Sequence, residues 1–351
     1  MSCLKDKTDE QLLQEMQEKL QNILPPFEIK YKAELVSKIR QIKKKKNALI
    51  LGHNYMEPAL FHFVPDFQGD SLQLCRQAAQ TQAPILVFCG VKFMAETAKI
   101  LNPNKKVLIP SLEAGCSLAA SITAEDVRRL KKRFPGVPVV TYINTYADVK
   151  AESDICCTSS NAKAVIEHLN SDTVIFIPDE YLSKNVARET GKHIIVPTKD
   201  LSKLNDNDVD YQIIGWPGRC EVHEKFSVQD IENVRKQFHN DVTVLAHPEC
   251  SPEVVAASDF SGSTSAMIQF VKNTSAKRYL LLTECSMGDN IAAEAPEKEM
   301  VRLCSVRCPH MNQITLEQTL ASLQNEIHEI KLEENIRKRA EQAVRKMLEI
   351  H

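Results

Sequence analysis

ALILGHNY (48–55), VVTYINT (139–145) and TVLAHPE (243–249) are three short apolar runs that each end on polar residues. Each has the pattern of a buried parallel strand, a continuous apolar core followed by side chains that leave it. Residues two apart on a strand point to the same side. His53 with Tyr55, Tyr142 with Asn144, and His247 with Glu249 therefore each project together from a strand's carboxyl end. A small-hydroxyl turn follows each run: GDS ending at Ser71, TSS ending at Ser160, and GSTS ending at Ser265. A helical stretch comes next, then another apolar strand (PILVFCG, TVIFIPD, RYLLLTE), and finally a cysteine: Cys116, Cys220 or Cys308. Four parallels in one order, three times over, mark an internal repeat. They predict an α/β protein of three homologous three-layer αβα domains with parallel sheets, binding ligands at the strands' carboxyl ends.

The repeat divides the chain. Residues 1–46 form an N-terminal helical extension broken at Pro25-Pro26; 47–137, 138–240 and 241–314 are the three α/β repeats; 315–351 are C-terminal helices. In that last segment Thr315 is a candidate cap. Leu316, Leu320 and Leu323, then Ile336, Ala340, Val344 and Met347, recur at helical spacing and predict a cover packed on the body.

A formal net charge of −2 over 351 residues argues against a general nucleic-acid binder. The only dense basic tract, Lys43–Lys46, is expected to solvate a helix end. No apolar run approaches the roughly 20 residues that span a bilayer, and the N-terminal stretch is too polar and acidic for a secretory signal. The expectation is a cytoplasmic protein with no membrane partner. Eleven cysteines, an odd number, then point to reduced thiols, metal ligands or catalysis rather than a disulfide framework.

Most of those cysteines have an ordinary reading. Cys75 falls in a helix and Cys89 in an apolar strand, where free cysteine acts as a small hydrophobe. Cys156, Cys157, Cys250 and Cys285 lie in or near strand ends, and Cys3 in the terminus. Cys116 (EAGCSLA), Cys220 (WPGRCEVHEKF) and Cys308 (CSVRCPHM) differ, each set among bend-forming residues, with Pro309 directly after Cys308. Three soft thiolates from three repeats suit an iron–sulfur cluster or zinc. Zinc would need a fourth ligand, for which Cys304 or His223 is available. Three cysteines on a cluster leave one iron open.

Glu249 is the strongest general-base candidate, and His53, Tyr55, Tyr142, Asn144 and His247 add acid, base and hydrogen-bonding groups. Ser71, Ser159, Ser160, Ser263 and Thr264 lie at predicted helix starts, which suit phosphate and carboxylates. There is no GxxxxGK[ST] loop, no GxGxxG run and no GxSxG elbow, so nothing supports nucleoside triphosphates, dinucleotides or a serine hydrolase.

From about residue 30 to 350 the chain resembles the quinolinate synthase family. The resemblance rests on GHNYMEP, GDSLQL, GVKFMAETAKIL, EAGCSLA, VTYINTYADVKAESDICCTSS, IPDEYL, GWPGRCEVH, HPEC, GSTSAMI and CPHM, in that order. It implies three α/β domains about a pseudo-threefold axis with one 4Fe–4S cluster at the centre. The implied reaction condenses iminoaspartate with dihydroxyacetone phosphate to quinolinate, phosphate and water in NAD biosynthesis, the open iron acting as Lewis acid. By motif, Cys116, Cys220 and Cys308 match the cluster ligands. His53, Tyr55, Tyr142, Asn144, His223, His247 and Glu249 match the substrate-facing set. Ser71, Ser159, Ser263 and Thr264 match positions that hold phosphate and carboxylates. Glu249 is implied to transfer protons with Tyr55 assisting, and L-aspartate oxidase is an implied functional partner. Some members carry CxxCxxC near the third ligand, where this chain has only Cys304 and Cys308.

Two other readings compete. One is a zinc-stabilised module that binds sugar phosphates without catalysis. The other is a cluster-free Schiff-base aldolase using Lys92 or Lys150, neither of which the sequence marks as buried.

Overall fold

A computed structural model describes residues 8–201, 211–303 and 306–350. Cys3 and Cys304 lie outside the described residues. The strands form three separate, wholly parallel sheets. The first contains β1 (Ala48–His53), β2 (Phe67–Gly69), β3 (Ile85–Cys89) and β4 (Lys106–Leu108), in the order β2-β1-β3-β4. The second contains β5 (Val139–Tyr142), β6 (Ile155–Cys157), β7 (Val174–Ile177), β8 (Ile194–Ile195) and β9 (Ile213–Ile214), in the order β6-β5-β7-β9-β8. The third contains β10 (Thr243–Ala246), β11 (Phe260–Ser261), β12 (Arg278–Leu282) and β13 (Glu299–Val301), in the order β11-β10-β12-β13. The three apolar runs are thus the first strand of each sheet. Each sits where the strand order reverses, the place at which parallel sheets open a crevice at their carboxyl ends.

One aspartate sets the register of each sheet. The Asp66, Asp154 and Asp259 carboxylates accept the backbone N–H of Ile50, Val139 and Val244, each at 2.8 Å. The backbone N–H of the same aspartates returns to the carbonyls of those strand residues. These pairs tie the second strand to the first before the ladder begins.

Helices start where the hydroxyl turns predict, with caps that differ. The helix Ser71–Gln80 is capped by Asp70, not Ser71, and Asp70 with Gln73 closes a capping box. Asn161 stands at the cap of Ala162–His168 without a side-chain bond to that helix, accepting instead from the Thr158 N–H, and Ser263 caps Thr264–Asn273. Pro26 opens the helix Pro26–Lys46, as the proline pair predicts. The basic tract at its end is not simply solvated: Lys43 pairs with Asp66 and Lys46 with Glu326. The last helix, Glu334–Glu349, buries Ala340, Ala343, Val344 and Met347 against the second sheet's edge and the helix Ala147–Ala151. Among the described residues no helix is long and apolar enough to cross a membrane.

Candidate active site

The carboxyl ends of all three first strands open into one cavity, which holds nearly every site residue the sequence singles out. His53, Tyr55, Ser71, Cys116, Tyr142, Asn144, Ser159, Cys220, His223, His247, Glu249, Thr264 and Cys308 line it. Ser263 does not. Its hydroxyl donates to Asp70 at 3.0 Å, as does that of Ser160, so the three hydroxyl turns meet around a carboxylate. Ser71, Ser159, Ser160 and Thr264 line the cavity.

The three cysteines occupy the same local structure. Each precedes a single 3-10 turn (Ala119–Ser121, His223–Lys225, Met311–Gln313). Each cysteine carbonyl accepts the N–H four residues on, from Ala120, Glu224 or Asn312, at 3.0 Å. The N–H three residues on turns toward the sulfur instead: Ala119 and Met311 at 3.5 Å, and His223 likewise. The next-nearest amides, of Leu118, Val222 and His310, also reach the sulfurs. Amides aimed at sulfur favour thiolate and are a feature of iron–sulfur ligation.

Burial works the other way. It pushes the Cys116 thiol up to about 12, the Cys308 thiol up to about 11, and the Cys220 thiol well above its ordinary range. Cys308 further raises Cys116, and Cys116 raises Cys220, as close neighbours would. Part-buried thiols that line one cavity, each with amide donors on its sulfur, would be held as thiolates by a bound cation such as iron. The residues fit a cluster. Among the described residues lining the cavity there is no fourth cysteine.

Next to the sulfurs lies a hydrogen-bonded chain. Tyr55 Oη meets Thr283 Oγ1 at 2.5 Å, Thr283 Oγ1 meets His223 Nε2 at 3.0 Å, and His223 Nδ1 is 2.7 Å from Glu249 Oε2. One arrangement satisfies every member: Tyr55 donates to Thr283, Thr283 to Nε2, and Nδ1–H to the carboxylate. Asn144 Nδ2 donates to Glu249 Oε1 at 3.0 Å, and the Tyr142 phenol also bonds to Glu249. Burial alone would raise this carboxyl, but the histidines and donors around it hold it well below the usual range.

His53 and His247 share a geometry. Each Nδ1 accepts the backbone N–H two residues on, Tyr55 at 3.2 Å and Glu249 at 3.3 Å. Nε2 therefore carries the proton and faces the cavity, where that of His247 lies 3.5 Å from Ser159 Oγ. Burial drives His53 down to about 4 and, with His223 adding, His247 down to about 3, so both are neutral donors.

Family comparison decides what carries this cavity. The family model for "Quinolinate synthetase A protein" matches residues 37–349. The chain belongs to the quinolinate synthase family. It is 51% identical over 333 residues to quinolinate synthase 2 of Mesorhizobium japonicum, covering 95% of this chain and 96% of that one. It is 50% identical to quinolinate synthase of Sinorhizobium fredii, covering 95% and 87%, and 52% identical to that of Xylella fastidiosa, covering 90% and 87%.

Sequence reasoning missed Glu284, which lines the quinolinate synthase cavity, and Thr283 and Asp179, which stand behind its lining residues. Thr283 and Glu284 follow β12 as Pro178 and Asp179 follow β7, and only the repeat relates them. Burial raises Glu284 to about 7. Asp179, fully buried, is raised first by burial and then by Glu249, and its Oδ2 finds no partner among the described residues. The lysine expectation also needs correcting. Lys150 is fully buried, and its amine is bonded to the Ile143 and Thr145 carbonyls outside the cavity, while Lys92 stays half exposed.

Proposed function

We propose that the chain is a quinolinate synthase that condenses iminoaspartate with dihydroxyacetone phosphate, using a 4Fe–4S cluster held by Cys116, Cys220 and Cys308. The observation that carries this is the threefold cysteine turn, with sulfurs and amide donors converging on one cavity beside Glu249. Family membership supports the same reading. When bound, the cluster would offer an open iron as Lewis acid for removal of hydroxyl as water.

The chain's own groups supply the rest. Ser71, Ser159 and Thr264, at or beside helix starts, suit the phosphate and carboxylates of the two substrates. Neutral His53 and His247 donate through Nε2 to substrate oxygens without repelling a cationic centre. Asn144 and Tyr142 hold Glu249 ionised, ready to take a proton at Oε1 or Oε2. A proton leaving Tyr55 Oη has a continuous path through Thr283 and His223 to that carboxylate.

The unit boundaries 47–137, 138–240 and 241–314, related by a pseudo-threefold axis, belong to this reading. So do a cytoplasmic setting, which the nine free described cysteines support, and a functional link to L-aspartate oxidase, the enzyme class that supplies an unstable imine. A single-metal reading has one observation of its own, since ligand atoms of Cys220, His223 and Glu249 lie within 4.8 Å of one another. Anaerobic, cluster-reconstituted protein should form quinolinate from the two substrates. Colourless protein that forms none after careful reconstitution refutes the proposal.

A further inference from the structure

Three residues outside the cavity grip the backbone of three residues inside it. Asn185 Nδ2 donates to the carbonyls of Pro248 and Cys250, at 2.8 and 3.0 Å, on either side of Glu249. Asn290 Nδ2 donates to the carbonyls of Asn54 and Met56, at 3.1 and 2.9 Å, on either side of Tyr55. Lys150 Nζ donates to the carbonyls of Ile143, at 2.9 Å, and Thr145, on either side of Asn144. All three are essentially inaccessible. A flipped amide would set oxygen against two carbonyls, so nitrogen must face them in both asparagines. The amide oxygens of both then have no partner among the described residues.

The two asparagines hold the same place in the repeat, in the helices that follow β7 (Glu180–Thr190) and β12 (Ser286–Glu294), and each reaches the loop of the next sheet. The corresponding position after β3 is Thr97, whose hydroxyl bonds back to Phe93 in its own helix. Lys150, in the short helix Ala147–Ala151 that follows the loop and facing Glu96, takes its place.

We propose that Asn185, Asn290 and Lys150 are positioning residues for the reaction, fixing the directions of Glu249, Tyr55 and Asn144 respectively. This rests on the functional reading above. Pinning the carbonyls on both sides of a residue fixes its Cα–Cβ direction, and small misplacement of acid–base groups is costly to rate. Glu249 and Tyr55 move protons and Asn144 holds Glu249 in place, so all three clasps act on the chemical step.

The test uses full-length, cluster-reconstituted protein carrying Asn185→Leu, Asn290→Leu, or Lys150→Met paired with Glu96→Gln so that no charge is left buried alone. Val186→Ala, a buried change in the same helix as Asn185, is the control for lost packing. All three variants should lose about tenfold or more in kcat with KM within about threefold. Iron content should stay at the wild-type level. If Asn185→Leu does not fold, Asn185→Asp, which keeps the volume and turns donors into acceptors, is scored in its place. Losses no greater than those of Val186→Ala at equal melting temperature, or a loss carried by KM with kcat unchanged, overturn the inference while the functional reading stands. Wild type that neither makes nor binds quinolinate fails the functional reading and this inference with it.

Discussion

His223 ties a carboxylate, a cysteine sulfur and a hydroxyl together through one ring: its Nδ1 is 2.7 Å from Glu249 Oε2 and 3.2 Å from Cys220 Sγ, and its Nε2 meets Thr283. The ring also stacks on His247, centroids 4.6 Å apart. The acid–base chain and the sulfur site are therefore neighbours. Cutting the chain at Thr283 separates them. Thr283→Val keeps shape and removes the hydroxyl, so kcat should fall about 10- to 100-fold with iron content unchanged. Glu249→Gln, which removes the charged end, should lose more, while cluster absorbance persists. Normal turnover in either variant removes that residue from the proton path.

The cysteines divide by environment. Cys116→Ser, Cys220→Ser and Cys308→Ser should each fail to retain a full cluster. Cys89→Ala and Cys156→Ala, which lie in apolar strands with thiols pushed up to about 12 by burial, should load iron normally. Equal iron loss in all five refutes the assignment.

Gly218 holds the Cys220 loop against the end of β7. Its N–H donates to the Pro178 carbonyl, and its own carbonyl accepts from Glu180. A Cβ there would come within 2.4 Å of that Pro178 oxygen. Backbone cannot give way cheaply, so Gly218→Ala should destabilise the fold by about 1–3 kcal/mol and lower iron content. Thermal melting and iron analysis check both.

Acid should destabilise the fold through buried histidines. Burial lowers His53 and His62 to about 4 each, so between pH 6.5 and about 4 the unfolded chain binds more protons than the folded one. Stability contributed by the neutral rings is complete above pH 6.5 and falls as pH drops through that window. His62 is packed edge-on to Phe61, and His62→Phe should flatten the fall in melting temperature from pH 6.5 to 5. An unchanged slope contradicts the assignment.

The strands, the repeat and the cavity's chief residues were legible because each is a local pattern. Apolar runs, the pairs at their ends, and cysteines among bend-formers can be read along one chain. What escaped was made by pairs distant in sequence. Ser263 looks free at a helix start, yet Asp70 claims its hydroxyl from another sheet. Lys150 looks like any surface lysine until two carbonyls and Glu96 surround it. The aspartates Asp66, Asp154 and Asp259 recur before each second strand, but their bonds to the first strands exist only once the sheets form.

The central claim is a cluster on three cysteines, and iron, acid-labile sulfide and zinc measured together on anaerobic protein test it most directly. The account predicts about four iron and four sulfide per chain, with broad absorbance near about 400 nm. About one zinc with no sulfide would contradict it, and would favour the Cys220–His223–Glu249 grouping instead.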